Sequence, residues 1–277
     1  MDRSGGPAAR WPPALRSQLA NPPLLPPPLR PWAWRIAVGL FAVALLLLPI
    51  AWTVRFTAQS EWWWERGFDI YDAERRTGLD RPQIDASGAD LRAYFLSDQE
   101  RADFTVTTPD GITEPLFSER EVLHMVDVKR LLNRTYDAGW AAIGIIVAFL
   151  AGVWYWRRPR IRDALAQAGF HAGAAVGVAI ATLSLVAISG FDSAFRQFHL
   201  LFFTNDLWQL STRDRLIQLF PQGFFFETTM LIGGTTIALA GAVALTGWWW
   251  RRSRRRPNAP LAPQHRLEAD DRLLTGE

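Results

Sequence analysis

With four histidines and no cysteine, this chain has few side chains able to move a proton near neutral pH. Two of the histidines, His124 and His199, stand in settings suited to general acid–base work. His124 lies three residues after Glu121 and three before Asp127, a spacing that on a helix sets both carboxylates on the imidazole's face. His199 sits in an aromatic stretch and is followed by Asn205, Asp206 and Trp208. The bland alternatives are a surface imidazole paired with Asp127 and an interfacial filler; the two histidines together at one surface outweigh them. Without cysteine there is no disulfide and no thiol nucleophile.

Four uncharged apolar stretches must position these residues. They lie between Arg35 and Arg55, Asp137 and Arg157, His171 and Asp192, and Glu227 and Arg251. Each is about twenty residues long, enough for a helix to cross the hydrocarbon core. The mean hydropathy of +0.00 hides them by averaging spans with charged loops. Lipid supplies no water to the backbone, so each should be helical. The first is too long for the apolar run of a secretion signal and reads as a retained signal anchor.

Arginines flank the first span (Arg10, Arg16, Arg30, Arg35), fill the short second loop (Arg157, Arg158, Arg160, Arg162) and follow the last span (Arg251, Arg252, Arg254, Arg255, Arg256). Basic flanks stay in the cytoplasm, so both termini should be cytoplasmic and both histidines should face outwards. Topology and anionic lipid account for the pI of about 9.8, and no nucleic-acid motif accompanies the charge. Trp248 to Trp250 and Trp62 to Trp64 suit the two interfacial belts.

The expected fold is therefore membrane all-α, a four-helix transmembrane bundle with a small extracytoplasmic α+β cap. The segments are a Pro-rich disordered cytoplasmic tail (1–31), a first span (32–54), the cap (55–138), a second span (139–156), a cytoplasmic loop (157–169), a third span (170–190), an outer aromatic loop (191–227), a fourth span (228–250) and a basic tail (251–277). Nine of the eighteen prolines fall in the first tail, which excludes a packed core there. In the cap, Phe104 to Thr107 and Ile112 to Phe117 flank Pro109-Asp110-Gly111 and read as two strands and a turn. Ser118 and Glu121 form a capping box that starts a helix at Glu119. Gly169, Gly173 and Gly177 give the third span a small-residue stripe for close helix packing within the chain, with dimerisation as the alternative. The 191–227 loop carries Phe191, Phe195, Phe198, Phe202 and Phe203, so it should lie in the interface, and its embedded polar cluster is costly unless used. His171 and His265 fall elsewhere and read as incidental.

The stretch from Leu116 through Phe117, Ser118, Glu119, Arg120, Glu121, Val122, Leu123, His124, Met125, Val126, Asp127 and Val128 to Lys129 resembles a signature of the bacterial lipoprotein intramolecular transacylase family. Phe198-His199-Leu200-Leu201-Phe202-Phe203-Thr204-Asn205-Asp206-Leu207-Trp208, with Leu216-Ile217 and Pro221 to Phe225, is similar to that family's second signature. The likeness covers roughly residues 35 to 250, span count and loop lengths included. It implies transfer of the sn-2 acyl chain of a diacylglyceryl-modified cysteine onto that cysteine's own α-amine, with His124 and His199 catalytic. Glu121, Asp127, Lys129, Asn205, Asp206 and Trp208 are the supporting residues. Diacylated lipoproteins and membrane lipids are the implied partners, without nucleic acid, cofactor or metal.

Elementary chemistry points the same way. An α-amine with a pKa of about 7.7–8.0 must lose a proton to attack an ester, and imidazole near 6.5 is matched to take it. Amine and ester on one substrate gain from positioning, and a water-poor aromatic roof suppresses hydrolysis. One histidine serves as base and the other as proton donor or oxyanion stabiliser, in either order. Asp127 is expected to orient and tune His124, and Asn205 and Asp206 to hold glyceryl or backbone groups. A metal-dependent lipid hydrolase using His124, His199, Asp127 and Asp206 lacks H-E-x-x-H or comparable spacing. A serine hydrolase lacks G-x-S-x-G around Ser189. A non-enzymatic scaffold would leave both histidines idle.

Overall fold

The computed structural model describes residues 30–108, 110–157 and 160–253. The expected tails, with His265 and Arg254 to Arg256, and also Arg158 and Pro109 of the expected turn, lie outside the described residues apart from the junctions at Arg30 and Pro31 and at Arg251 to Ser253. Four long helices satisfy the length and apolarity of a membrane crossing: α1 (Pro31–Gln59), α5 (Glu119–Trp156), α6 (Ile161–Ser189) and α9 (Gln222–Ser253). The first, second and fourth contain the expected spans 32–54, 139–156 and 228–250 and extend them, whereas the third starts nine residues before the expected 170–190 and stops one short of it, at Ser189. Between α1 and α5 come α2 (Glu61–Ile70), α3 (Ala73–Thr77), α4 (Arg81–Leu96), β1 (Thr105–Thr107) and β2 (Thr113–Pro115); between α6 and α9 come α7 (Phe191–Phe202) and α8 (Arg215–Leu219).

The bundle is built from two intimate pairs, α6 on α9 and α1 on α5, with α1 also reaching α9 and α6. Close approach of α6 and α9 depends on missing side chains. A Cβ on Gly173 would lie 2.4 Å from the carbonyl oxygen of Ala240, and one on Gly247 would lie 2.6 Å from that of Ala166. The stripe expected to pack within the chain does so: Gly169, Gly173 and Gly177 all look onto Val243, Ala244 or Ala240 of α9. A hydrogen bond of 2.9 Å between the Thr53 and Thr235 hydroxyls joins α1 to α9. Outward, Val178, Leu183, Leu185, Ile188, Leu245 and Trp249 are exposed, an apolar surface that lipid and not water must cover.

The cap has its own core, made by Trp64, Phe68, Ile84, Leu91, Tyr94, Leu116, Met125, Leu219 and Phe220, which ties α2 to α4 and the strands to the first turns of α5 and to α8. Ser60 and Asp80 cap α2 and α4 through hydrogen bonds from the backbone N–H of Trp63 and Gln83. The two strands pair antiparallel with Val106 opposite Glu114. One expectation is corrected here. Trp63 and Trp64 are not belt residues but cap core, and Trp64 donates its indole N–H to the Thr57 carbonyl at 2.7 Å, leaving only Trp62 of that block exposed. Trp248, Trp249 and Trp250 are exposed as a belt requires.

Candidate active site

His124 stands in the second turn of α5, and the start of that helix is fixed by a complete capping box. Glu121 is 2 % exposed, and its Oε2 accepts from the Ser118 N–H and hydroxyl, each at 2.7 Å. Its Oε1 accepts from the backbone N–H of Leu216 at 2.7 Å. One buried carboxylate therefore pins the origin of the His124 helix to the start of α8.

His199 comes from α7, whose Phe191 and Phe195 recur one turn apart and pack against Phe226 and Phe225 of α9. That face is turned inwards and carries His199 with it, one turn after Phe195, while Leu200, Leu201 and Phe202 remain exposed. The helix ends at Phe203, and the chain then runs back across α5. Three contacts hold this return: Arg120 donates to the Asp206 carbonyl, Asn205 Nδ2 donates to Asp127 Oδ2 at 2.8 Å, and Asn205 Oδ1 accepts from the Leu207 N–H at 3.0 Å.

These elements bring the two imidazoles to a centroid separation of 6.1 Å, both 6 % exposed. Phe203 sits against both, at 5.3 Å from His124 and 5.5 Å from His199. Phe195 lies 4.4 Å from His199, and Trp208 stacks on it at 4.9 Å with an interplanar angle of 28°. The ring cluster excludes water from around the pair.

The two histidines differ in what holds them. His199 Nδ1 is 2.7 Å from the Phe195 carbonyl oxygen, which can only accept, so the ring proton sits on Nδ1 and the neutral ring presents its lone pair at Nε2. Burial lowers its pKa, and the Phe195 carbonyl partly opposes that by stabilising the charged form. His124 Nδ1 is buried without a hydrogen-bond partner. Burial first, then the proximity of His199, push His124 down to about 4, with Asp127 pulling weakly the other way. At neutral pH the pair is thus two uncharged imidazoles, one with a fixed tautomer.

The remaining expected site residues divide. Trp208 is in direct contact with His199. Asn205 and Asp206 lie on the return segment, where Asn205 engages Asp127 and the Asp206 side chain accepts from Gln209. Asp127 corrects the sequence reading: it spends its carboxylate on Asn205 and Arg130 and does not hydrogen-bond the imidazole. Glu121 likewise faces Ser118 and Leu216 instead of His124. Other donors engage both carboxylates: Ser118 and the Leu216 N–H on Glu121, and Asn205 and Arg130 on Asp127. Lys129 is away from the site, its Nζ donating to the Gln99 carbonyl at 2.6 Å over the Tyr94 ring, a strut within the cap. The Phe195 carbonyl was missed because a backbone acceptor leaves no residue-type signal, although the 191, 195, 199 spacing could have indicated it. Among the described residues no three His, Asp or Glu side chains converge to hold a metal.

A family model described as "Lipoprotein intramolecular transacylase Lit" matches residues 39–225. The fold is similar to the in meso structure of the membrane-integral lipoprotein intramolecular transacylase Lit from Bacillus cereus, with a TM-score of 0.65 and 18 % identity, covering 82 % of this chain and 99 % of that one. A variant of the same Bacillus cereus protein with one histidine replaced by arginine matches with a TM-score of 0.60 and 17 % identity, covering 80 % of this chain and 94 % of the other. An uncharacterised protein of Aquifex aeolicus is 27 % identical over 116 residues, 42 % of this chain and 49 % of that protein, so the chain spans about half the length of this curated relative.

Proposed function

The chain belongs to the lipoprotein intramolecular transacylase family, and we propose that it moves the sn-2 acyl chain of a diacylglyceryl-cysteine onto the α-amine of the same cysteine. The observation that carries the reading is the pair of buried imidazoles 6.1 Å apart under an aromatic roof. Acyl transfer to an amine needs a base that is unprotonated at neutral pH and a site that keeps water from competing for the ester.

His199 is the base. The substrate's ammonium gives its first proton to water before it enters the ring cluster, and the free amine attacks the ester carbonyl carbon. The C–N bond forms as the carbonyl π pair moves onto oxygen, and the Nε2 lone pair then removes one proton from the attacking nitrogen. Collapse of the tetrahedral intermediate then breaks the C–O bond. The proton on Nε2 goes to the departing sn-2 oxygen, and the histidine is neutral again. The Phe195 carbonyl, hydrogen-bonded to Nδ1, holds the ring and supports its transient charge. His124, neutral throughout, accepts a hydrogen bond from the amine or donates one to the leaving oxygen according to which nitrogen carries its proton.

The cap and both histidines face outwards from the bacterial plasma membrane and both termini lie in the cytoplasm. Support comes from Arg35, Arg157, Arg160, Arg162, Arg251 and Arg252, which all fall at the end of the up-and-down bundle opposite the cap. Diacylated lipoproteins are the substrates, and the exposed apolar face of α7 lies against the lipid from which their acyl chains enter.

The test is the product. Purified protein with a diacylated lipopeptide should yield an isomer of unchanged mass whose fragments carry one acyl group on nitrogen and one on glycerol. Acetylating the amine should stop the reaction, and His199→Ala should abolish it in a protein that still inserts. A product one acyl chain lighter, or a triacylated one, would overturn the reading.

A further inference from the structure

Five buried side-chain polar atoms among the described residues have no hydrogen-bond partner: Gln59 Nε2, Tyr136 Oη, Arg215 Nη1, His124 Nδ1 and Trp208 Nε1. Arg215 is already engaged through Nη2 with Glu114, and Gln59 and Tyr136, on α1 and α5, face each other. The other two converge. His124 touches His199 and Phe203, His199 touches Phe203 and Trp208, and so the two unsatisfied nitrogens sit in one ring cluster.

Leaving a donor buried and unpaired is costly, so each such group in a folded protein calls for an explanation, and a catalytic role is one. Indole has one N–H and no acceptor, so its unmet need is for an oxygen and nothing else. An imidazole can place its proton on either nitrogen; the indole N–H is present at every pH. The stack on His199 holds the two ring centroids 4.9 Å apart, and the segment bearing Trp208 is locked by the Asn205 contacts to Asp127 and Leu207 and by Arg120 on the Asp206 carbonyl. A fixed donor beside a base, in a water-poor cluster, is what a developing oxyanion requires.

We infer that Trp208 is the oxyanion donor of this site: its Nε1–H hydrogen-bonds the ester carbonyl oxygen as attack by the amine turns that oxygen negative, and it is a catalytic residue distinct from the proton-moving histidine. No proton is transferred from the indole. The oxygen regains its double bond on collapse and the hydrogen bond weakens. The assignment rests on the acyl-transfer reading and adds to it the group that stabilises the charge.

The experiment compares wild type with Trp208→Phe, which keeps a stacking ring and removes the N–H, and with 3-benzothienylalanine at position 208, which keeps the bicyclic shape and puts sulfur where the N–H was. Turnover of a diacylated lipopeptide in nanodiscs, its pH profile and thermal unfolding are measured for all three. Both variants should lose about 10²–10³-fold in kcat with KM little changed, the loss typical of one oxyanion donor. The pH profile should keep its shape because the histidines are untouched, and thermal stability should hold or rise because an unpaired buried donor is gone. Wild-type kcat in the benzothienyl variant, or a loss confined to KM, overturns the assignment, and the benzothienyl variant decides the matter if Trp208→Phe fails to fold. If wild type itself makes no N-acyl isomer, it is the acyl-transfer reading that has failed.

Discussion

Acidification should loosen this protein through His124, by an amount that the site's geometry sets. In the folded chain the imidazole is held down to about 4, against 6.5 when free. Between those values the unfolded chain binds a proton that the folded chain refuses, so stability rises with pH across this window and is lost as pH falls through it. Above about 6.5 both states are neutral and the group adds no slope; below about 4 both are charged and the loss has run its course. The gap corresponds to about 3 kcal/mol in total, spread over the window at up to about 1.4 kcal/mol per pH unit. The groups facing the ring are His199 from α7 and Asp127 from its own helix, and the second of these only weakly resists the shift. The assay is denaturant unfolding of the detergent-solubilised protein, followed by cap tryptophan fluorescence, at intervals from pH 7.5 to 4, for wild type and His124→Gln. Carboxylates and His199 titrate in both proteins, so the difference between the two curves isolates His124. Wild type should lose about 3 kcal/mol more than the variant over the range. Superimposable curves, or a wild type that resists acid better than the variant, would refute burial as the force that keeps this imidazole neutral.

Two further outcomes follow from the bundle. Gly173→Ala must drive α6 and α9 apart, because its Cβ would fall 2.4 Å from the Ala240 carbonyl; a loss of about 1–3 kcal/mol in thermal unfolding is expected. Gly177→Ala, whose nearest neighbour is the Ala240 Cβ at 3.9 Å, should be neutral, and equal effects at the two sites would contradict the packing described. Alkaline phosphatase fused at residue 100 or residue 212 should be active and fused after Ser253 inactive, whereas the reverse pattern would invert the proposed orientation.

The sequence revealed most about what depends on charge and least about what depends on contact. Spans announce themselves because ionisable groups are excluded over about twenty residues, so Arg35 to Arg55 could be read as a helix without coordinates. Ser118 and Glu121 announced the start of α5 because a capping box is local, three residues end to end. An even number of crossings then put His124 and His199 at the same end. Where the sequence reading failed, the deciding partner was distant. Glu121 turned to Leu216, ninety-five positions away, and Asp127 to Asn205, seventy-eight positions away, so helical spacing identified a shared face but not the donor that would win it. Lys129 and the tryptophans of α2 illustrate the same limit. Trp62, Trp63 and Trp64 are identical as letters, and only the packing of Phe224 on Trp63 and of Phe220 on Trp64 decides which two are core. The proton on His199 Nδ1 was out of reach for a different reason, since a carbonyl belongs to every residue alike.

α5 is a single helix of 38 residues, about 57 Å from end to end, and it carries His124 near one tip and a membrane crossing at the other. Along such a rod, height and azimuth are locked together: each added residue lifts the imidazole about 1.5 Å and swings it about 100°. A one-residue insertion between His124 and Trp140 would therefore aim the ring away from His199 while hardly changing its elevation. Seven residues would nearly restore the bearing but raise it by about 10 Å, clear of His199. The stretch is thus indifferent to many substitutions on its lipid face yet intolerant of any change in register, so evolutionary drift here should accumulate as replaced letters and almost never as gained or lost ones.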